Sequence, residues 1–397
     1  MNMSNKTNMT NRRKIALTGG MAAAEALRQI NPDVAPVYPI TPQTPIIEGF
    51  AKFEADGKVD TEIITVESEH SAMSAAIGAS ASGARTITAT SSQGLALMNE
   101  VLYIASGTRL PILMLISARA LGAPINIHGD HSDVMGARDT GWIQIFSENA
   151  QEVYDNTIIG MKLAEKAEVP VMVIMDGFTT SHSVEILEIL PDEIVGKFVG
   201  KFEPSRSLLD LDNPVTFGPV SLPDSYFEFK IEQSNTIKDS AKKYADIMAD
   251  FADISGRRYD IFEKYKTEDA EQIIVLMGST AGTVKNVVDE LREQGKKVGL
   301  LKIKLFRPFP YKEVAEILKN AKNVAVMDRA ISFGSVSPLY SEIVNSCSMF
   351  HIPCSVSSYV YALGGRDIFA ENIESVFEDM IKSKKFEGVR YLNAKSN

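Results

Sequence analysis

Between Lys14 and His182, short apolar or β-branched runs recur along the chain, and each is followed by a helical pattern. Residues 34–38, 63–66, 86–90, 112–117 and 171–175 are the strand candidates. They lack the period-two alternation of a half-exposed strand, so each is expected to be buried on both faces. The stretches 22–29, 44–55, 71–82, 94–107 and 150–167 read as helices. Parallel strands need long crossover connections, and a crossover helix must bury one face on the sheet. The pattern therefore predicts an α/β fold, a doubly wound parallel sheet over residues 14–189, preceded by a polar, disordered tail at residues 1–13.

The texture changes after Leu190. Pro191, Pro204, Pro214, Pro219 and Pro223 interrupt any regular element, and only residues 236–253 recover a helical face. Residues 190–266 are therefore expected to form a connector that wraps over neighbouring surface. A second, smaller α/β domain is expected over 267–397. Its strands are read at 273–277, 298–302, 324–327 and 354–360, with a helix at 283–294 after the turn Gly278-Ser279-Thr280-Ala281-Gly282.

Several polar motifs follow the strands directly, at the sheet edge where open α/β folds bind ligands. In Tyr38-Pro39-Ile40-Thr41-Pro42-Gln43-Thr44-Pro45, two prolines hold Thr41 extended; a rigid turn that starts a helix is the structural alternative. In Glu67-Ser68-Glu69-His70-Ser71, two glutamates open a helix of small residues. A helix dipole alone favours one such carboxylate, and the small residues let a flat ligand approach. Ser91-Ser92-Gln93-Gly94 is a small polar turn. Ser117-Ala118-Arg119 ends an apolar strand with a cation that needs a partner, either a substrate carboxylate or a neighbouring subunit. His128-Gly129-Asp130-His131-Ser132-Asp133 carries ligand-type side chains but no further strong ligand group nearby, so no metal is expected on this chain.

A net charge of −10 argues against nucleic-acid binding. No run is long enough to cross a membrane and the start lacks a signal-peptide core, so a cytoplasmic protein is expected. The phosphate-binding glycine motifs are missing, and so is the Gly-Asp-Gly…Asn signature that holds magnesium diphosphate. The two cysteines, Cys347 and Cys354, are too few for an iron–sulfur cluster or a structural zinc site; they are read as a buried, reduced pair.

Taken together, Tyr38-Pro39-Ile40-Thr41-Pro42, Glu67-Ser68-Glu69-His70-Ser71-Ala72, Thr90-Ser91-Ser92-Gln93-Gly94-Leu95 and Arg119-Ala120-Leu121 resemble the pyrimidine-binding domain of 2-oxoacid:ferredoxin oxidoreductases. Gly129-Asp130-His131-Ser132-Asp133, Arg138-Asp139-Thr140-Gly141-Trp142 and Asp176-Gly177-Phe178 extend the resemblance. Phe306-Arg307-Pro308-Phe309 and Leu363-Gly364-Gly365-Arg366-Asp367 resemble the family's transketolase C-terminal-like domain. One departure is Thr18-Gly19-Gly20-Met21-Ala22, where members often carry Thr-Gly-Asn-Glu-Ala, so no role is carried over there.

The resemblance implies an alpha-type subunit that holds the aminopyrimidine half of thiamine diphosphate. Mg2+ and [4Fe-4S] clusters would lie on partner chains: a thiamine-diphosphate/iron–sulfur beta subunit and ferredoxin-like gamma and delta subunits. Glu69, rather than Glu67, would contact the pyrimidine nitrogen; Pro39, Ile40 and Gln93 would line the cofactor. Thr41 and Arg119 would bind the 2-oxoacid, expected to be pyruvate, with coenzyme A taking the acyl group and ferredoxin the electrons. Three alternatives stand beside this: the same chemistry on a branched-chain acid or 2-oxoglutarate, a non-redox thiamine-dependent transferase or decarboxylase, and a non-catalytic assembly subunit.

Overall fold

The computed structural model describes residues 13–382 and 388–395. The expected tail therefore lies, up to residue 12, outside the described residues. In the first part the chain runs β1 (Arg13–Thr18), α1 (Gly19–Ile30), β2 (Val34–Val37), α2 (Thr44–Ala55), β3 (Glu62–Thr65), α3 (Glu69–Ala81) and β4 (Thr86–Thr90). Next come α4 (Ser92–Leu97), α5 (Asn99–Gly107), β5 (Ile112–Ala118), α6 (Ser132–Gly136), β6 (Ile143–Phe146), α7 (Ala150–Ala167), β7 (Val171–Asp176) and β8 (Val184–Ile189). The main sheet has the order β6-β7-β5-β4-β2-β3 with all six strands parallel.

Both faces of this sheet are covered, which is why its strands show no alternation. Leu113 and Leu115 of β5 join the core beneath α1, α2 and α7, while Ile112, Met114 and Ile116 join the opposite core with α3 and α5. Local signals set several helix ends. Thr18 accepts the Met21 N–H before α1, and left-handed Asn31 follows it; Asn149 caps α7 and left-handed Glu168 ends it. The helix expected over 94–107 is instead two, α4 and α5, joined at Met98, whose ψ of −9° flattens the turn between them.

The connector contains α8 (Asp192–Val199) and α9 (Tyr226–Ser255), the second beginning ten residues before the amphipathic face that announces it. Its first turns expose Tyr226, Phe227 and Phe229, so no core-facing stripe marks them in the sequence. They are tied sideways to α5, where Gln233 Nε2 donates to Ser106 Oγ at 3.0 Å.

The remaining elements are β9 (Phe262–Tyr265), β10 (Gln272–Leu276), α10 (Ala281–Glu293), β11 (Val298–Ile303), β12 (Leu305–Arg307) and α11 (Tyr311–Leu318). They are followed by β13 (Asn323–Asp328), α12 (Pro338–Met349), β14 (Ser355–Val360), α13 (Ala370–Ile381) and β15 (Val389–Tyr391). The second sheet has the order β15-β14-β13-β10-β11-β9, parallel except for β9. Strand β12 leaves this unit and pairs antiparallel with β6, extending the first sheet to seven strands. One apolar core runs across both units, from Met114 and Phe146 to Ile273, Leu301 and Phe306. The two thiols, Cys347 at the end of α12 and Cys354 before β14, lie with their sulfurs 3.1 Å apart.

A buried charge network seals the junction. Lys302 Nζ reaches Glu152 at 2.9 Å and Glu263 at 2.6 Å, and also contacts Glu148; Lys285 reaches Glu148 at 2.8 Å. Glu148, Glu152 and Glu263 are near enough to one another to share a cation, but here these lysine ammoniums meet their charge.

Candidate active site

The connection from β2 leads to β3 on one side of the sheet, whereas that from β4 leads to β5 on the other. The carboxyl ends of β2 and β4 therefore diverge and leave a crevice, the position at which open α/β sheets bind ligands. Residues 38–45 follow β2, residues 67–71 join β3 to α3, residues 91–94 follow β4, and Arg119 follows β5. The fold thus gathers the four motifs at one edge.

Gln43 bridges the crevice floor. Its side chain is fully buried and its amide donates to the Tyr38 carbonyl at 3.2 Å and the Ala89 carbonyl at 3.1 Å. Among the described residues the Gln43 Oε1 atom keeps no hydrogen-bond partner, and neither do Thr90 Oγ1 and Ser117 Oγ at the ends of β4 and β5. Unpartnered buried polar atoms are costly and rare, so three beside one crevice mark a place built to meet a ligand.

The two glutamates differ sharply. Glu67 is exposed, and the Ser71 hydroxyl donates to it at 2.5 Å, which lowers its pKa. Ser68 caps α3 by accepting the Ser71 N–H. Glu69, in the first turn of α3, is buried at 7% exposure, yet among the described residues its carboxyl group makes no hydrogen bond or ion pair. Only a glycine fits opposite: a Cβ on Gly94 would stand 2.5 Å from Thr90 Oγ1 and 2.7 Å from Glu69 Oε1. Such a carboxyl group, together with free acceptor and hydroxyl oxygens, suits a planar heterocycle with ring nitrogens and an amino group, as an aminopyrimidine has.

Arg119 is buried, and two backbone carbonyls orient its guanidinium. Nη1 donates to Thr41 at 2.8 Å and Nε to Asn126 at 2.9 Å. Nη2 makes no protein hydrogen bond among the described residues, leaving donors for a bound carboxylate. Burial lowers the Arg119 pKa and the nearby Asp133 charge works against that, so the group stays cationic. Thr41 meets Arg119 through its backbone carbonyl, while its side chain lies exposed at the rim. Pro39 and Gln93 are exposed there too, and Ile40 is half-buried. The Ser92 hydroxyl donates to the Gln93 side-chain oxygen and, at 2.5 Å, to the Ala120 carbonyl.

The histidine–aspartate loop does not gather its side chains on one point. Asp130 accepts from Ser132 and from the Gly364 N–H of the second unit, and Asp133 accepts backbone N–H groups. His131 Nε2 meets Asp176 at 2.6 Å, and Arg329 Nη1 and Ser279 Oγ donate to the other oxygen of that carboxylate at 2.7 and 2.5 Å. Burial opposes ionisation of Asp176, but Arg329 and His131 outweigh it and hold the pKa far down. Asp176 is therefore a permanent charge that clamps the second unit against the site. Gln43, Asp133 and Asp176 lie inside the sequence motifs, but only the fold shows what their side chains hold.

Two family profiles match the chain. One, described as pyruvate flavodoxin/ferredoxin oxidoreductase, thiamine diphosphate-binding, covers residues 25–249, and another, pyruvate:ferredoxin oxidoreductase core domain II, covers 270–373. Pyruvate synthase subunit PorA of Thermotoga maritima is 54% identical over 370 residues, 93% of this chain and 94% of the relative. The subunit of the same name from Methanocaldococcus jannaschii is 47% identical, over 93% and 95% of the two chains. Ketoisovalerate oxidoreductase subunit VorA of Pyrococcus abyssi is 43% identical, over 93% and 94%. Among solved structures, a 2-oxoglutarate:ferredoxin oxidoreductase from Magnetococcus marinus superposes with a TM-score of 0.75 at 21% identity, over 92% of this chain and 65% of that longer one. At that identity the likeness speaks for the fold.

Proposed function

The chain belongs to the pyruvate flavodoxin/ferredoxin oxidoreductase family, and on that premise we propose that it is the alpha-type subunit of a pyruvate synthase, a 2-oxoacid:ferredoxin oxidoreductase working as a multi-subunit complex. Residues 14–189 are the cofactor-facing domain, 190–266 the connector, and 267–397 the domain that braces the site. The observation that carries the reading is Glu69, a buried carboxyl group with no hydrogen-bond or ion-pair partner among the described residues.

Thiamine diphosphate, when bound, supplies a carbon nucleophile for the keto carbon of pyruvate. Glu69 holds a proton at the pyrimidine nitrogen. Gly94 leaves space beside it, and Gln93, Pro39 and Ile40 would line the cofactor there. Arg119 binds the substrate carboxylate with the donors that Thr41 and Asn126 leave free, and the Thr41 hydroxyl orients the same group from the rim. Burial of Glu69 and Arg119 keeps water from competing for either contact. Carbon dioxide is lost, coenzyme A receives the acetyl group, and two electrons pass to ferredoxin. A beta subunit holds the diphosphate and Mg2+, and the [4Fe-4S] clusters lie on it and on gamma and delta subunits. The likeness to the ketoisovalerate subunits favours one second reading, a branched-chain 2-oxoacid; kcat/KM for pyruvate against ketoisovalerate decides between them.

The test is Glu69→Gln in the assembled complex. Turnover should fall by about 10²–10⁴-fold, and exchange of the C2 proton of bound cofactor, followed by NMR, should slow in parallel. The complex should still assemble, because Glu69 makes no protein contact that the amide would break. Glu67→Gln should stay near wild type. Unchanged C2 exchange in Glu69→Gln would assign the proton to another group.

A further inference from the structure

A site that reads a small substrate depends on the spacing between the cofactor-facing turn after β4 and Arg119 after β5. These two backbones do not pair with each other beyond Thr90 and Ile116 in the sheet register. Past that point the Ser91 and Ser92 hydroxyls donate to the Ser117 and Ala120 carbonyls, and one carboxylate from a third segment takes a backbone N–H from each side. The Ser92 N–H donates to Asp133 Oδ2 at 2.8 Å, and the Arg119 N–H donates to the same oxygen at 2.9 Å. The other oxygen accepts the Val134 N–H at 2.7 Å. Asp133 is 3% exposed, and no cation pairs with it among the described residues.

Burying a carboxylate against backbone N–H groups alone is an unusual arrangement, and burial pushes the Asp133 pKa up to about 7 against the pull of those N–H groups. The contacts are geometrically demanding. Ser92 sits in the left-handed region with a φ of +51°, a backbone conformation that residues other than glycine seldom adopt. Arg119 immediately follows β5, so its N–H is the first one free of the β5–β7 ladder.

We propose that Asp133 is a positioning residue for the 2-oxoacid site: its Oδ2 atom, shared by the N–H groups of Ser92 and Arg119, sets the distance between the cofactor-facing turn and the substrate-binding guanidinium. The inference rests on the reading of Arg119 as the carboxylate-binding residue. Asp133 touches neither substrate nor cofactor. It acts through Arg119, so its effect falls on pyruvate more than on cofactor affinity.

The experiment is a double-mutant cycle in the assembled complex, with Asp133→Asn, Arg119→Met and the two combined. Asp133→Asn should raise the KM for pyruvate about tenfold, the scale of one charge-assisted hydrogen bond, while kcat changes less and the Kd for thiamine diphosphate holds. In the combined variant Asp133→Asn should add little to Arg119→Met, because the group it positions is already gone. Full additivity would overturn the proposal. Normal pyruvate kinetics in Arg119→Met alone would instead overturn the reading of Arg119, so the two failures are distinguishable. If Asp133→Asn does not assemble, hydrogen exchange in the wild-type complex serves: the Ser92 and Arg119 amides should both be strongly protected, and rapid exchange at either one would refute the shared tie.

Discussion

Adding one methyl group at Gly94 tests the site without touching any charged residue. Alanine there would place its Cβ 2.7 Å from Glu69 Oε1 and 2.8 Å from Glu69 Cγ, against the 3.4 Å at which ordinary contact begins. The deficit is about 0.7 Å at the oxygen, and Glu69 must move by about that much because Cγ is crowded along with the tip. Thr90 Oγ1, 2.5 Å away, keeps no hydrogen bond and can rotate aside. A displacement approaching 1 Å at a reacting group costs on the order of 10²-fold, so Gly94→Ala should lose roughly ten- to hundredfold in kcat. Stability should fall by up to about 3 kcal/mol: overpacking costs about 1–3 kcal/mol, and the preference of a helical turn for Ala over Gly returns at most about 1 kcal/mol. Steady-state turnover with pyruvate and coenzyme A, C2-proton exchange by NMR and a thermal melt on the same preparation separate these terms. Full turnover and unchanged exchange in a well-folded Gly94→Ala complex would mean that the space beside Glu69 is not where the ring lies.

Arg119→Met should lower pyruvate kcat/KM by about ten- to hundredfold, the equivalent of a charge-assisted hydrogen bond. Thr41→Val should give a smaller loss of the same kind, and collapse of cofactor binding with normal pyruvate kinetics would contradict both. The junction network should set the acid limit. Burial opposes ionisation of Glu152, but Lys304 and Lys302 outweigh it and hold its pKa at about 2, below the unfolded value. Its stabilisation is therefore present above about pH 4.5 and is lost as pH falls towards 2, by on the order of 3 kcal/mol in full. Glu152→Gln should lower stability by about 3 kcal/mol at neutral pH, because Lys304 loses its Glu152 partner while Lys302 keeps Glu148 and Glu263, and should flatten this acid limb; melts at pH 7, 5 and 3.5 would show either outcome.

Local patterning carried the strands of the first sheet and their helices, because a strand buried on both faces writes its burial into consecutive residues. The helix at 44–55 and the strand at 86–90 could be read to the residue, and Glu69 was separable from Glu67 only through resemblance. Strands of three or four residues such as β6, β9, β12 and β15, and the partly exposed pair β1 and β8, were illegible, because so short or exposed a segment leaves no distinctive local pattern. The crossing of β12 into the first sheet depends on Leu305 and Arg307 meeting β6 more than 150 positions earlier, which no local window records. The same limit applied inside the site. The polar motifs after β2, β3, β4 and β5 were visible in the sequence. How they are held was not: Gln43 spanning two strand ends, Asp133 tying N–H groups 41 and 14 positions away, and Asp176 clamped by Arg329 across 153 positions all arise from contacts between distant segments. A hydrogen-bond partner is chosen by geometry after the chain has folded, so its identity belongs to the tertiary structure alone.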